Sequence, residues 1–194
     1  MKRIIVTGFE PFGGEKINPS WEAVKLLPDE IGGYKLTKIL LPVTFGRAAE
    51  KVIDAARDIC PDVILSVGQA GGRGEITPEL VAINLRYAEI PDNEGYQPKD
   101  EKISERGREA YFSTLPMRKI SEKIKEADVP SRLSYSAGAY VCNDVLYKLS
   151  EHFFDSTTRV GFIHIPYSEE QQREPFMSTA DIVKGLKIAI ENID

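Results

Sequence analysis

Apolar positions along this chain follow two rhythms, and their alternation orders its elements. Lys2–Thr7 is a short β-rich run, and Leu36–Val43 is a second. Asp62-Val63-Ile64-Leu65-Ser66-Val67-Gly68 is apolar at almost every position and ends in glycine, the pattern of a strand covered on both faces. Helical spacing takes over between these runs. Asn18-Pro19 opens a helix through Leu27, with the proline where its missing N–H costs little. Phe45–Ile59 sets Ala48, Val52, Ile53, Ala56 and Ile59 at helical spacing before Pro61 closes it. Further on, Leu80–Leu85 reads as extended, Pro116–Ala127 as helix, Leu133–Ser136 as strand, Tyr140–Phe153 as helix, Val160–Ile165 as strand and Thr179–Ile193 as a closing helix.

This succession predicts an α/β fold of βαβ units: a three-layer α/β/α sandwich with a mainly parallel, doubly wound central sheet. The 194 residues fit one domain, 1–194, with no repeat or linker. In such sheets ligands gather outside the carboxyl ends of the strands, so four loops are expected on one rim: Gly8–Gly14, Gln69–Gly74, Ala137-Gly138 and the His164–Tyr167 exit. Residues 88–107, rich in proline, glycine and charge, exceed what a connector needs and read as a lid or an interface arm.

Composition narrows the partners. A net charge of -5 and the lack of a Lys/Arg stripe argue against nucleic acid. The basic-then-apolar start, Met1 to Gly8, is too short for an export signal or a membrane span; the expected compartment is the reducing cytosol, with Cys60 and Cys142 as thiols. Two histidines and two cysteines with no ligand spacing do not form a metal site.

The same scarcity focuses the chemistry. Cys142 lies in the first turn of its helix, where the dipole favours a thiolate, and His164 ends the next strand, where a right-handed crossover brings it toward that turn. Such a pair is the minimum for thiol-dependent acyl transfer, and a carboxylate must orient the ring; Glu75 and Glu79 are the candidates on that rim. Each has a plainer reading. Cys142 precedes Leu146, Leu149 and Phe153 at helical spacing and fits a core stripe, and His164 fits a buried strand. Phe9 and Phe12 either present a slot for a flat ligand, with the Gln69 amide beside it, or pack the loop onto the core.

Several segments, in order, resemble the pyroglutamyl peptidase I family: Thr7-Gly8-Phe9-Glu10-Pro11-Phe12-Gly13-Gly14, Asn18-Pro19-Ser20-Trp21, Gly68-Gln69-Ala70-Gly71-Gly72-Arg73, Ile76-Thr77-Pro78-Glu79, Val81-Ala82-Ile83-Asn84, Ile90-Pro91-Asp92-Asn93-Glu94-Gly95, Ser136-Ala137-Gly138 through Cys142-Asn143, and Gly161 through Tyr167. The resemblance implies a cytosolic cysteine peptidase that removes N-terminal pyroglutamyl residues without a cofactor and assembles as a homotetramer. It implies Cys142 as nucleophile, His164 as base and Glu79 as orienting carboxylate, with Phe9, Phe12, Gln69, Ile90, Tyr140 and Val141 around the substrate ring. Three positions depart from the family pattern. Leu80 and Glu89 stand where arginine is usual and Asp144 where histidine is usual. At position 89 the family arginine is thought to support the oxyanion, which a carboxylate opposes. Two rival expectations follow: a binding protein with impaired catalysis, and a phosphorylase-like or amidohydrolase-like enzyme on the same sheet.

Overall fold

A computed structural model describes residues 1–194. Its main sheet has six strands: β1 (Lys2–Phe9), β2 (Glu30–Ile31), β3 (Tyr34–Leu41), β4 (Val63–Gln69), β5 (Thr77–Glu79) and β8 (Arg159–Ile165). They lie in the order β2-β3-β1-β4-β8-β5, parallel except for the antiparallel edge strands β2 and β5. Two small ribbons stand apart, β6 (Val81–Ile83) with β7 (Ala110–Phe112) and β9 (Tyr167–Ser168) with β10 (Phe176–Met177).

Helices cover both faces because the central strands are apolar on both. Ile4, Val6, Val63, Leu65 and Val67 point to one side, where α1 (Pro19–Leu26), α3 (Met117–Glu126) and α5 (Thr179–Glu191) contribute Val24, Ile120 and Leu186. The intervening Ile5 and Ile64, with Val160 and Phe162, point to the other, against Val52 of α2 (Arg47–Ile59) and Val145 and Leu149 of α4 (Val141–His152). Period-two alternation therefore builds two cores on one sheet.

Asn18 caps α1, accepting from Ser20 N at 3.1 Å, and Pro19 takes the first helical position. The helix start presses on the end of β1: a Cβ at Gly8 would stand 2.7 Å from the Trp21 backbone.

One expected strand is not formed. Leu133–Ser136 makes only an isolated bridge, Glu79↔Ser134, while Ser131 bridges Ile76. Between those bridges lies Pro78, which accepts from Ser134 N but has no N–H to return, so a continuous ladder is broken. The expected Leu80–Leu85 strand is shortened to β6, Val81–Ile83, which pairs with β7 in its own ribbon, while β5, just before it, joins the main sheet. Residues 88–107 hold no helix or strand element but are ordered by their own contacts, with Ala88 N donating to Pro98 O and Asn84 Oδ1 accepting from Ile103 N.

Candidate active site

The sheet register brings the candidate groups to one face. His164 pairs with Gly68 of β4 on one side and with Thr77 of β5 on the other, while Glu79 pairs with Phe162. Paired residues project to the same face, and so do residues two apart, so Phe162, His164, Thr77 and Glu79 point together toward α4. Gly68 leaves its place on that face empty, and Cys142 fills it: a Cβ at Gly68 would be 2.8 Å from the Cys142 Sγ. The thiol thus rests on the backbone of the strand beside His164, half-buried at the second residue of α4.

His164 is 4% exposed and Glu79 fully buried, with His164 Nδ1 2.8 Å from Glu79 Oε1. Burial works against the Glu79 charge, but the hydrogen bond and charge of His164, with help from Arg73, hold its carboxyl below the usual range. Arg73 Nη1 donates to the same Oε1 at 2.6 Å and to Thr77 Oγ1 at 2.6 Å, and its Nη2 donates to Ser136 O at 3.2 Å. An ionised carboxylate only accepts, so Nδ1 of His164 carries the hydrogen and Nε2 keeps a lone pair. Burial lowers the His164 pKa against the opposing pull of Glu79. Burial, and then the Glu79 charge, push the Cys142 thiol up to about 12. At neutral pH burial therefore favours a thiol at Cys142 and a neutral imidazole at His164.

This assignment has a measurable signature. Alkylation of Cys142 by iodoacetamide is expected to keep accelerating through pH 9–10, because the thiolate is scarce below that range. The acid limb of any Cys142-dependent reaction is expected below pH 6.5, the ordinary histidine value, since only a protonated imidazole fails to take the thiol proton and burial disfavours that form. An alkylation rate flat from pH 6 upward would instead reveal a preformed thiolate–imidazolium pair.

The start of α4 is held rigidly. The Asn143 side chain accepts from Ile83 N at 3.0 Å and donates to Ile83 O at 2.9 Å and Leu85 O at 3.0 Å, clamping the first turn to β6. Asp144 is fully buried and accepts from Arg86 Nε at 2.6 Å and Gly46 N at 2.8 Å. The backbone N–H groups of Val141, Cys142 and Asn143 donate to no protein acceptor, leaving the helix N-terminus available to an oxygen at the thiol.

The other sequence candidates divide. Phe12 and Ile90 line an open cavity of about 380 Å³ with Tyr140, whose ring lies 6.1 Å from that of Phe12. Phe9 ends β1 in the core, 2% exposed, 6.3 Å from Phe162, and Val141 is likewise buried. Gln69 ends β4, its Oε1 accepting from Gln171 Nε2 at 2.9 Å. Glu75 pairs with Arg132 at 3.3 Å and does not meet His164, while Cys60 is an exposed helix C-cap. Leu80 donates its N–H to Ser134 O, and the Glu89 side chain is exposed on the cavity. Sequence reasoning offers Arg73 and Arg86 as substitutes for the oxyanion arginine, whereas the structure commits Arg73 to Glu79 and Arg86 to Asp144; it passes over the Asn143 clamp, with only its place in a quoted motif pointing to it. No three His, Cys, Asp or Glu side chains converge to hold a metal.

A thiol at a helix start beside a carboxylate-bound imidazole, on an α/β/α sandwich, is the equipment of a cysteine-type hydrolase. The comparisons are narrower: the model of the pyroglutamyl peptidase family matches residues 2–194, and the chain belongs to that family. It is 47% identical to a pyrrolidone-carboxylate peptidase of Staphylococcus saprophyticus, covering 98% of this chain and 92% of that one. It is also 47% identical to that of Thermococcus kodakarensis, over 98% and 95%. The crystal structure of pyroglutamyl peptidase I from Bacillus amyloliquefaciens superposes with a TM-score of 0.95 at 45% identity, over 100% of this chain and 97% of that one. Pyrrolidone carboxyl peptidase from Thermococcus litoralis gives 0.95 at 35%, over 100% and 93%. No helix is long and apolar enough to cross a membrane.

Proposed function

We propose that this chain is a cysteine omega-peptidase that removes N-terminal pyroglutamyl residues from peptides, working as one peptidase domain over 1–194. The observation that carries the reading is the 2.8 Å bond from His164 to Glu79 beside the Cys142 thiol. His164 Nε2 takes the thiol proton as Sγ bonds to the pyroglutamyl carbonyl carbon, and the oxyanion meets the free N–H groups of the first turn of α4. The C–N bond breaks as His164 returns the proton to the leaving amine, leaving a thioester. Water, deprotonated by the same imidazole, then attacks the thioester, and pyroglutamate departs as Cys142 regains its proton.

Phe12, Ile90 and Tyr140 wall the lactam ring, and Phe9 and Val141 back them. Gln69 offers its amide N–H to the lactam oxygen. An ordinary ammonium N-terminus would lose its water against Phe12, Ile90 and Tyr140, while the one carboxylate of the cavity, Glu89, stands at its open side rather than at the ring; a charge left unpaired at the ring costs several kcal/mol. The chain works as a cytoplasmic homotetramer on peptides, with no nucleic-acid or membrane partner; its acidic balance and two free thiols are in keeping with that setting.

Pyroglutamyl 4-nitroanilide and prolyl 4-nitroanilide test the reading side by side. Only the first is expected to release nitroaniline. Equal turnover of both, or none of the first by folded protein, would overturn it.

A further inference from the structure

Six residues line the cavity beside α4, Phe12, Tyr87, Glu89, Ile90, Ala139 and Tyr140, and Glu89 is the only charge among them. Its carboxylate is exposed and has no ion-pair or hydrogen-bond partner; only its backbone oxygen is used, accepting from Gln97 Nε2 at 2.8 Å. The neighbouring cations are committed elsewhere. Lys99 lies over the Tyr87 ring, 4.9 Å from its centroid, and donates to Ala88 O at 2.9 Å, while Arg86 is held by Asp144 at 2.6 Å. The Tyr140 hydroxyl donates to Pro91 O at 3.1 Å and so does not serve Glu89. A backbone bond of 2.9 Å from Tyr87 N to Ala139 O fixes this segment against the residues that lead into Cys142.

Resting on the pyroglutamyl-peptidase reading, we infer that Glu89 selects for lysine or arginine at the residue that follows pyroglutamate. A ring seated among Phe12, Ile90 and Tyr140 with its carbonyl at Cys142 sends the remaining peptide out through the open side of the cavity, where Glu89 stands. A lysine there lays its methylenes along Tyr87 and Ile90 and brings its ammonium to the carboxylate. An acidic residue at the same place meets an uncompensated like charge. Opposite charges at an exposed site alter binding about two- to fivefold, so attraction and repulsion together separate lysine from glutamate about tenfold. The discrimination falls mainly on KM, since the contact exists before and during the reaction.

The test is kcat/KM for pyroglutamyl-lysine amide, pyroglutamyl-alanine amide and pyroglutamyl-glutamate amide, at low ionic strength and in 1 M sodium chloride. The expected order is lysine, alanine, glutamate, with a lysine-to-glutamate ratio of about ten that shrinks in salt as the Debye length falls to about 3 Å. Glu89→Gln is expected to bring the ratio toward one, and Glu89→Arg to invert it. Equal rates on all three substrates at low salt, or a ratio unmoved by Glu89→Gln, would overturn this inference and leave the peptidase reading standing. A loss equal on all three in Glu89→Gln would overturn it in favour of a role at the ring or the oxyanion. No hydrolysis of any of them would sink both.

Discussion

Cys142→Ser is expected to abolish release of nitroaniline from the pyroglutamyl anilide while the protein keeps its fold. The hydroxyl occupies the seat on Gly68 that the thiol occupies now, where a Cβ would come within 2.8 Å of Sγ, so the smaller atom brings no clash. What fails is chemistry: a neutral imidazole that can deprotonate a thiol meets an alcohol far less acidic and less nucleophilic. Loss of a nucleophile acting as part of a triad costs on the order of 10⁴-fold or more in kcat. Cys60 is the internal control, since its thiol is exposed and its hydrogen bond goes to the Arg57 carbonyl, at 3.4 Å. Cys60→Ser is therefore expected to turn over normally. An active Cys142→Ser protein beside an inactive Cys60→Ser one would reverse the assignment, and circular dichroism on both excludes unfolding as the cause.

His164→Ala is expected to be nearly as damaging, and Glu79→Gln clearly less so. On the proposed mechanism the first removes the group that carries the proton between sulfur and the leaving amine. The second keeps an oxygen acceptor for Nδ1 but loses the charge that stabilises the imidazolium formed during reaction, a loss of about 10⁴-fold where removal of the base itself costs about 10⁶-fold. Because Glu79 raises the His164 pKa, its neutralisation is also expected to move the acid limb of kcat/KM to lower pH. Comparable kcat losses in Glu79→Gln and His164→Ala would mean that the carboxylate does more than orient and charge-balance the ring. A Glu79→Gln protein as active as the parent, with Glu75→Ala inactive, would place the orienting group four residues earlier, against the geometry of Glu75 on Arg132.

The long central strands and the amphipathic helices were legible in the sequence because burial on one or both faces writes itself as periodicity. Val63–Gln69 and Val160–Ile165 show this most directly, since both are covered by helices on each side. The three-residue β5 was not legible. It belongs to the sheet by register with β8, and its proline hides a strand from any propensity reading. Cys142 and His164 were legible by scarcity and by their places at element ends, whereas the choice of Glu79 over Glu75 came from resemblance and acquired a geometric basis only in the fold. Arg73 illustrates the remaining gap. Its glycine-rich loop carries no periodic signal, and its partners Glu79 and Ser136 are 6 and 63 positions away along the chain.

The burial that favours the protonated Cys142 thiol also bears on how the sulfur meets oxidants. Peroxide attacks thiolates, not thiols, and does so where solvent reaches them. Cys60 is the more solvent-exposed of the two sulfurs, and its loss touches only a helix end. On the proposed mechanism the Cys142 sulfur rests as a thiol, the form that peroxide attacks least, and becomes a nucleophile only while His164 holds its proton. That mechanism separates chemical potency from chemical vulnerability, two properties that a permanently ionised thiol binds together.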